Sequence, residues 1–83
     1  MHYILMSRSL TNAQKAARRL QNAGIFAVVA KAPQSANPGG CTYGVKIGLH
    51  NLSGALSRLQ ADGISVAKVL RVTDNGEVAE VTV

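Results

Sequence analysis

The sequence is poor in cysteine, in aromatic residues and in long apolar runs. A single cysteine cannot form an internal disulfide, and secreted domains of this size usually carry several cysteines, so we expect a cytoplasmic protein. No apolar run reaches the roughly 18 residues that a membrane span needs. The N-terminus also lacks the charged start and the cleavage site of a signal peptide. We therefore predict no membrane segment.

The residues that most catalytic and metal sites require are also scarce. No C-x-x-C motif is present, so Cys41 has no resolving thiol within the chain. Two distant histidines and one cysteine would bind a metal only in an oligomer, and the four acidic residues form no acid–base pair. We predict no metal and no cofactor, and a carrier or binding protein rather than a stand-alone enzyme.

Positive charge is what the chain has in excess, with a net charge of +5. Such a balance permits binding to nucleic acid, to anionic ligands or to an acidic partner, or it simply keeps a small apolar domain in solution. RNA-recognition domains stack bases on aromatic residues of their sheet, and Tyr3 and Tyr43 lie in strand-like runs. Alternation places Tyr43 on the core side with Val45 and Ile47, which argues against nucleic acid.

The sequence repeats itself. The segments NAQKAARRLQNAGI (residues 12–25) and NLSGALSRLQADGI (residues 51–64) are identical at seven of fourteen positions, at a constant offset of 39. Each is a predicted helix that ends at a Gly-Ile pair, because Gly24 and Gly63 suit the left-handed conformation just past a last turn. A strand-like run precedes and follows each helix. The chain therefore reads as two strand–helix–strand halves, about residues 2–31 and 42–71.

This order predicts an α+β fold, a ferredoxin-like βαββαβ sandwich that is internally duplicated and forms a single domain over residues 1–83. Both helices show apolar residues at core spacing. These are Ala13, Ala16, Ala17 and Leu20 in the first helix, and Leu52, Ala55, Leu56 and Leu59 in the second. The outer side of the first helix carries Lys15, Arg18, Arg19 and Asn22.

A C-terminal β-strand is expected in addition. Asn75-Gly76 predicts a two-residue hairpin turn in which both central residues have positive φ. A strand over about residues 77–83 would then pair with the fourth strand. Because an edge strand is open to pairing with another chain, a homodimer through this edge, or through the helix-free face of the sheet, is a hypothesis.

The one thiol lies in the stretch NPGGCTYG, residues 37–44. In the predicted topology, the loop between strands 2 and 3 lies at the sheet edge where strand 1 ends and helix 1 begins. Cys41 is then close to a group of residues that favour an anion: Ser7, Arg8, Ser9 and Thr11. A helix N-terminus and a guanidinium both stabilise a thiolate over a thiol.

The glycines around Cys41 agree with a reactive sulfur, because Gly39, Gly40 and Gly44 leave it accessible to another backbone. Both histidines map to the opposite edge, so a Cys–His nucleophilic pair is not expected. The alternative is a structural role, in which Cys41 fills a small gap at the base of a long hairpin loop.

The order of these segments resembles a known family. YILMSRS, AARRLQNAGI, a loop with Pro33, Cys41 and Gly44, and then VKIG are similar to the selenium/sulfur (Se/S) carrier protein-like family of short bacterial proteins. The family's cysteine usually follows serines and is directly followed by glycine, whereas Gly-Gly precedes and Thr follows it here.

The resemblance implies that Cys41 holds sulfur or selenium, as a persulfide or selenosulfide, for transfer between donor and acceptor proteins. The alternative is a non-enzymatic module that dimerises or binds a ligand or partner, with Cys41 incidental.

Overall fold

A computed structural model describes residues 1–7, 9–31 and 43–81 of the chain. Arg8, Gly39, Gly40 and Cys41, which the sequence predicts as site residues, lie outside the described residues. The described elements are, in order, β1 (His2–Met6), α1 (Leu10–Asn22), β2 (Ala27–Lys31), β3 (Tyr43–Gly48), a 3₁₀ turn (Leu49–Asn51), α2 (Leu52–Ala61), β4 (Lys68–Val72) and β5 (Val78–Val81).

The strands form one antiparallel sheet, which within the described ranges has five strands in the order β2-β3-β1-β4-β5. β1 lies in the middle, so that Met6 is opposite Gly44 on one side and Lys68 on the other. Two helices and an antiparallel sheet confirm the predicted α+β class. The strand order is compatible with a ferredoxin-like sandwich. The duplication of the two halves stays a prediction.

Both helices pack on the same face of the sheet. Alternate residues of the strands join the buried alanines and leucines of α1 and α2 in the main core. Tyr3 and Tyr43 pack against this helix-side core, which confirms the face predicted for Tyr43. A smaller cluster of strand residues lies on the other face and consists of Ile4, Met6 and Leu70, with Val72 and Val78 against it.

The helix ends and the core stripes agree with the sequence pattern. Gly24 and Gly63 have φ values of +81° and +73°, as the Gly-Ile pairs predict. The isoleucine amide after each glycine donates to the carbonyl of the last buried leucine of its helix, over 2.9 Å in both cases. All four predicted core residues of α1 are buried. In α2, Ala55 and Leu59 are buried while Leu52 and Leu56 are half-buried against the core.

The β4–β5 hairpin is present, but its turn differs from the prediction. Asn75 does not have a positive φ, whereas Gly76 has φ +85°. The amide of Gly76 donates to the carbonyl of Thr73 over 2.9 Å, and the amide of Thr73 donates to the carbonyl of Glu77 over 2.9 Å. The loop therefore has three residues, 74–76, which are a turn followed by a left-handed glycine. Because the loop has one residue more than predicted, only Gly76, and not Asn75, needs a positive φ.

β2 and β5 lie at the two edges of the described sheet. Val28 of β2 is an exposed large apolar side chain, and β5 pairs only with β4 among the described strands. The proposed homodimer through an edge or through the helix-free face stays a prediction. Neither described helix is long and apolar enough to cross a membrane.

Candidate functional site

The end of β1 meets the start of β3 at one edge of the sheet. The backbone N–H of Ser7 donates to the carbonyl oxygen of Tyr43 over 3.1 Å, directly beyond the Met6–Gly44 pair. On the other side, the amide of Ala67 donates to the carbonyl of Met6 over 2.8 Å. The predicted neighbourhood of strand 1's end and strand 3's start is confirmed. We call this end of the sheet, marked by Ser7 and Tyr43, the thiol edge, because the sequence predicts Cys41 beside it. Cys41, two residues before Tyr43, is not among the described residues.

Ser7 is the buried polar residue of the thiol edge. Only 3% of its surface is exposed, and no other described polar residue is as buried. Its backbone bond to Tyr43 closes the sheet at the point where the chain leaves β1 for α1. A buried backbone amide without such a partner would destabilise the fold, so this bond fixes the position of the strand end.

The first turn of α1 has a defined cap and no negative charge. Ser9 adopts an extended conformation (φ −153°, ψ 162°), and its Oγ accepts from the amide of Asn12 over 3.1 Å. No acidic residue lies in this first turn. The amides of Leu10 and Thr11 precede the intrahelical ladder and have no partner among the described residues. Among the described residues, this helix end therefore has N–H donors without a partner, together with the positive end of the helix dipole.

The three described anion-site candidates differ in what they can do. Ser7 is buried, and the Ser9 hydroxyl is engaged in capping the helix. Thr11 is exposed, and its side chain makes no hydrogen bond to another described residue. The three therefore lie on the segment that joins β1 to α1, but only Thr11 has a hydroxyl that is both exposed and unengaged within the described ranges.

Gly44 lies in β3 and has a structural reason to be glycine. A Cβ at this position would come within 2.7 Å of the carbonyl oxygen of Leu5 and of Cγ2 of Ile4. Its missing side chain thus permits the close approach of β1 to β3. The separate idea that Gly44 exposes the thiol stays a prediction.

Lys31 is a cation at the thiol edge that the sequence analysis did not select. It is the last residue of β2, it is exposed, and it is the register partner of Tyr43. Finding it required the β2–β3 register, because the sequence does not show where the loop between these strands begins and ends, and therefore which of their residues are paired. The signal in the sequence was its place at the end of the run FAVVAK.

The histidines lie at the opposite end of the sheet, as predicted. His2 pairs with Gly48, and His50 lies in the turn that follows β3. Partial burial, helped by the charges of Lys46 and the N-terminal ammonium, lowers the pKa of His2 below its usual value. No three metal-binding side chains (His, Cys, Asp or Glu) cluster anywhere in the described ranges.

Residues 2–71 match a protein family described as "Putative Se/S carrier protein-like". The chain belongs to this family. The match covers β1 to β4, apart from the last residue of β4, and stops before β5, so the hairpin strand lies beyond the family's matched range. Neither the search of curated proteins nor that of solved structures found a match. The description of the family supports a general role in carrying selenium or sulfur, and hence an interaction with partner proteins.

Proposed function

We propose that Cys41 is the residue that carries the sulfur or selenium. Its thiolate attacks the outer sulfur of a donor persulfide, a bond forms between the two sulfurs, and the donor cysteine leaves as a thiolate with the bonding electron pair. An acceptor nucleophile then attacks the outer atom, and Cys41 leaves as a thiolate. Each transfer exchanges one bond for another, so neither step needs an external oxidant or reductant. A selenium atom would be carried in the same way as a selenosulfide.

The juxtaposition of Ser7 with Tyr43 is the observation that carries this proposal. Cys41 precedes Tyr43 by two residues, and two residues of chain extend no further than about 7 Å. Tyr43 in turn accepts a hydrogen bond from the amide of Ser7, which lies on the segment that joins β1 to α1. Family membership supports a carrier role for the chain as a whole, and Cys41 is its one thiol.

The charges at the thiol edge favour the anionic forms that the carrier cycle needs. The start of α1 lacks acidic residues, and Lys31 lies at the same edge. A helix N-terminus stabilises an exposed anion by roughly 0.3–1 kcal/mol, which is less than about one pKa unit. In this proposal Arg8 supplies the larger part of the stabilisation.

A single cysteine suits a carrier. A second thiol in the same chain would attack the persulfide and release its cargo as an internal disulfide. In this proposal the protein works in the cytoplasm, where thiols stay reduced, and no cofactor takes part.

We also propose that the fold is a duplicated ferredoxin-like sandwich. Both helices end in the same hydrogen-bond pattern around a left-handed glycine, and their sequences align at the offset that separates these glycines. A solved structure in which the two halves fail to superimpose would end this part of the proposal.

The carrier proposal is tested by intact mass after incubation with a protein persulfide. The expected result is the addition of one sulfur atom to the wild-type chain and none to Cys41→Ser. Release of that sulfur by a thiol acceptor should restore the original mass. An unmodified wild-type chain, or equal modification of Cys41→Ser, would contradict the proposal.

A further inference from the structure

The outer face of α1 is strongly basic. Lys15, Arg18 and Arg19 recur at a spacing of three and four residues and are all exposed, on the side opposite the buried alanines. With the polar residues Gln14 and Asn22 they enclose a shallow depression of about 670 Å³. We call the three cations the basic face.

The basic face is not neutralised within the described part of the chain. All four acidic side chains of the protein are described, and three of them pair with Arg58, Lys68 or the N-terminal ammonium. The fourth, Glu77, lies in the β4–β5 hairpin and forms no ion pair with a described residue. Three adjacent cations repel one another, so the face has an excess positive potential available to a partner.

The fold itself does not require this face. At the offset of 39, the positions of Lys15 and Arg18 correspond to Gly54 and Ser57 in α2. The arginine that α2 does keep, Arg58, lies 3.4 Å from the carboxylate of Asp62. The second helix thus occupies the same kind of position against the sheet with almost no free positive charge.

The basic face lies on the helix that leads away from the thiol edge. Ser9 caps α1 beside the end of β1, and each helical residue advances about 1.5 Å. Lys15 is therefore about 9 Å along the axis from Ser9, and Arg18 and Arg19 are about 14 and 15 Å from it. A protein surface that covers the basic face would extend to the thiol edge, since a standard interface covers about 800 Å² on each partner.

We propose that the basic face docks an acidic surface of the protein that donates or accepts the sulfur. This inference rests on the proposed carrier function, which requires a second protein to meet the thiol edge. Arginine forks match carboxylates in a bidentate manner, and complementary charges raise the rate of association.

A nucleic acid fits the observations less well. Affinity for nucleic acid depends mainly on how many phosphates the cations of the protein neutralise, and the basic face supplies only three cations. No aromatic residue lines the described depression for base stacking, and both tyrosines pack into the helix-side core.

The test uses the full chain and two fluorescent probes, a hexaglutamate peptide and a single-stranded hexanucleotide. Binding is followed by anisotropy at low salt for the wild type, for Arg18→Gln/Arg19→Gln and for Lys46→Gln/Arg71→Gln. Both double variants remove two exposed cations, so they have the same net charge. Chemical shifts of the labelled wild-type chain locate the peptide.

We expect the peptide to shift resonances of α1's outer face. The affinity should fall about fivefold in Arg18→Gln/Arg19→Gln and less than twofold in the control, since each exposed pair contributes modestly. Equal losses in the two variants, shifts elsewhere, or no binding at low salt would overturn the proposal. Tighter binding of the oligonucleotide than of the peptide would overturn it in favour of nucleic acid.

A separate readout distinguishes this docking proposal from the carrier function. The Arg18→Gln/Arg19→Gln variant should take up sulfur from a small-molecule persulfide as fast as the wild type. If no variant and not even the wild type takes up sulfur, the carrier function fails while the peptide result still decides the basic face. If sulfur uptake is normal but Arg18→Gln/Arg19→Gln binds the peptide as tightly as the wild type, only the proposed docking surface is wrong.

Discussion

The two strand–helix–strand halves share their helix ends and differ at their helix starts. Both helices terminate in the same pattern around a left-handed glycine. α1, however, is capped by the hydroxyl of Ser9, whereas α2 follows a 3₁₀ turn and the side chain of its cap residue Asn51 makes no capping hydrogen bond within the described residues. The outer faces differ as well, because α1 carries three cations that form no ion pair with a described residue, whereas α2 carries one arginine that is paired with Asp62.

What the two halves share serves the fold, and what differs between them is free to serve function. The inward-facing residues and the terminating glycines are needed wherever a helix packs on the sheet and ends. The start of α1 and its outer face are not needed for packing. The start of α1 lies beside the thiol edge, and the outer face follows it along the same helix. The first strand–helix–strand half therefore contains the helix start and the basic face that the proposed function uses.

The largest expected effect tests the shared part of the comparison. Leu20 and Leu59 occupy corresponding positions and are 0% and 1% exposed. Leu20→Ala and Leu59→Ala should each lower the free energy of unfolding by about 2–5 kcal/mol, because each leaves a cavity in the same core. Urea denaturation measures both. A loss below about 1 kcal/mol in one variant alone would break the equivalence of the two helices.

Two glycines of β3 provide the next test. A Cβ at Gly44 collides with the backbone of Leu5, whereas at Gly48 the nearest atom is Nδ2 of Asn51 at 3.6 Å. Gly44→Ala should therefore cost about 1–3 kcal/mol of folding free energy through overpacking. Gly48→Ala is the matched control and should leave the thermal midpoint nearly unchanged. Equal midpoints for the two variants would show that the close approach of β1 to β3 is not needed.

The helix starts are compared directly by removing each cap. Ser9→Ala removes the oxygen that accepts from Asn12 and should cost about 1 kcal/mol. Asn51→Ala should change the stability by less than about 0.5 kcal/mol, because its side chain caps nothing. Chemical denaturation of both variants is the measurement. A larger loss in Asn51→Ala would reverse the contrast between the two helix starts.

The last and weakest expected effect concerns His2, at the end of the sheet opposite Ser7 and Tyr43. Burial lowers the pKa of His2 in the folded state, with further lowering by Lys46. As the pH falls below about 6.5, the unfolded chain therefore takes up a proton more readily than the folded one, and stability declines.

His2→Gln should remove this part of the pH dependence of the thermal midpoint between pH 7.5 and pH 5. An unchanged profile would mean that His2 does not titrate differently in the folded state.

Most of the fold could be predicted from the sequence, because the strongest signals in the sequence depend on residues close together in the chain. The stripe of Ala13, Ala16, Ala17 and Leu20 and the Gly-Ile stops depend on neighbours within a few residues, and all are confirmed. The predicted length of the hairpin turn is wrong. An Asn-Gly pair is compatible with both a two-residue and a three-residue loop, and the pairing of Thr73 with Glu77 decides which of the two forms.

The candidate site was harder to predict because it joins segments that are distant in the chain. Topology alone placed the start of strand 3 beside the end of strand 1. The role of Lys31 needed the register with Tyr43, and the packing reason for Gly44 needed the distance to Leu5. Neither the register nor the distance can be predicted from the local pattern of residues.

Whether the thiol edge activates Cys41 is measured by the pH dependence of its alkylation by iodoacetamide, followed by intact mass. We expect a midpoint below the free-thiol value of about 8.5. The midpoint should rise in Arg8→Gln, while Lys46→Gln, at a cation away from the thiol edge, should leave it unchanged. A wild-type midpoint at or above that value, or no reaction until the protein unfolds, would contradict the claim that this edge activates the sulfur.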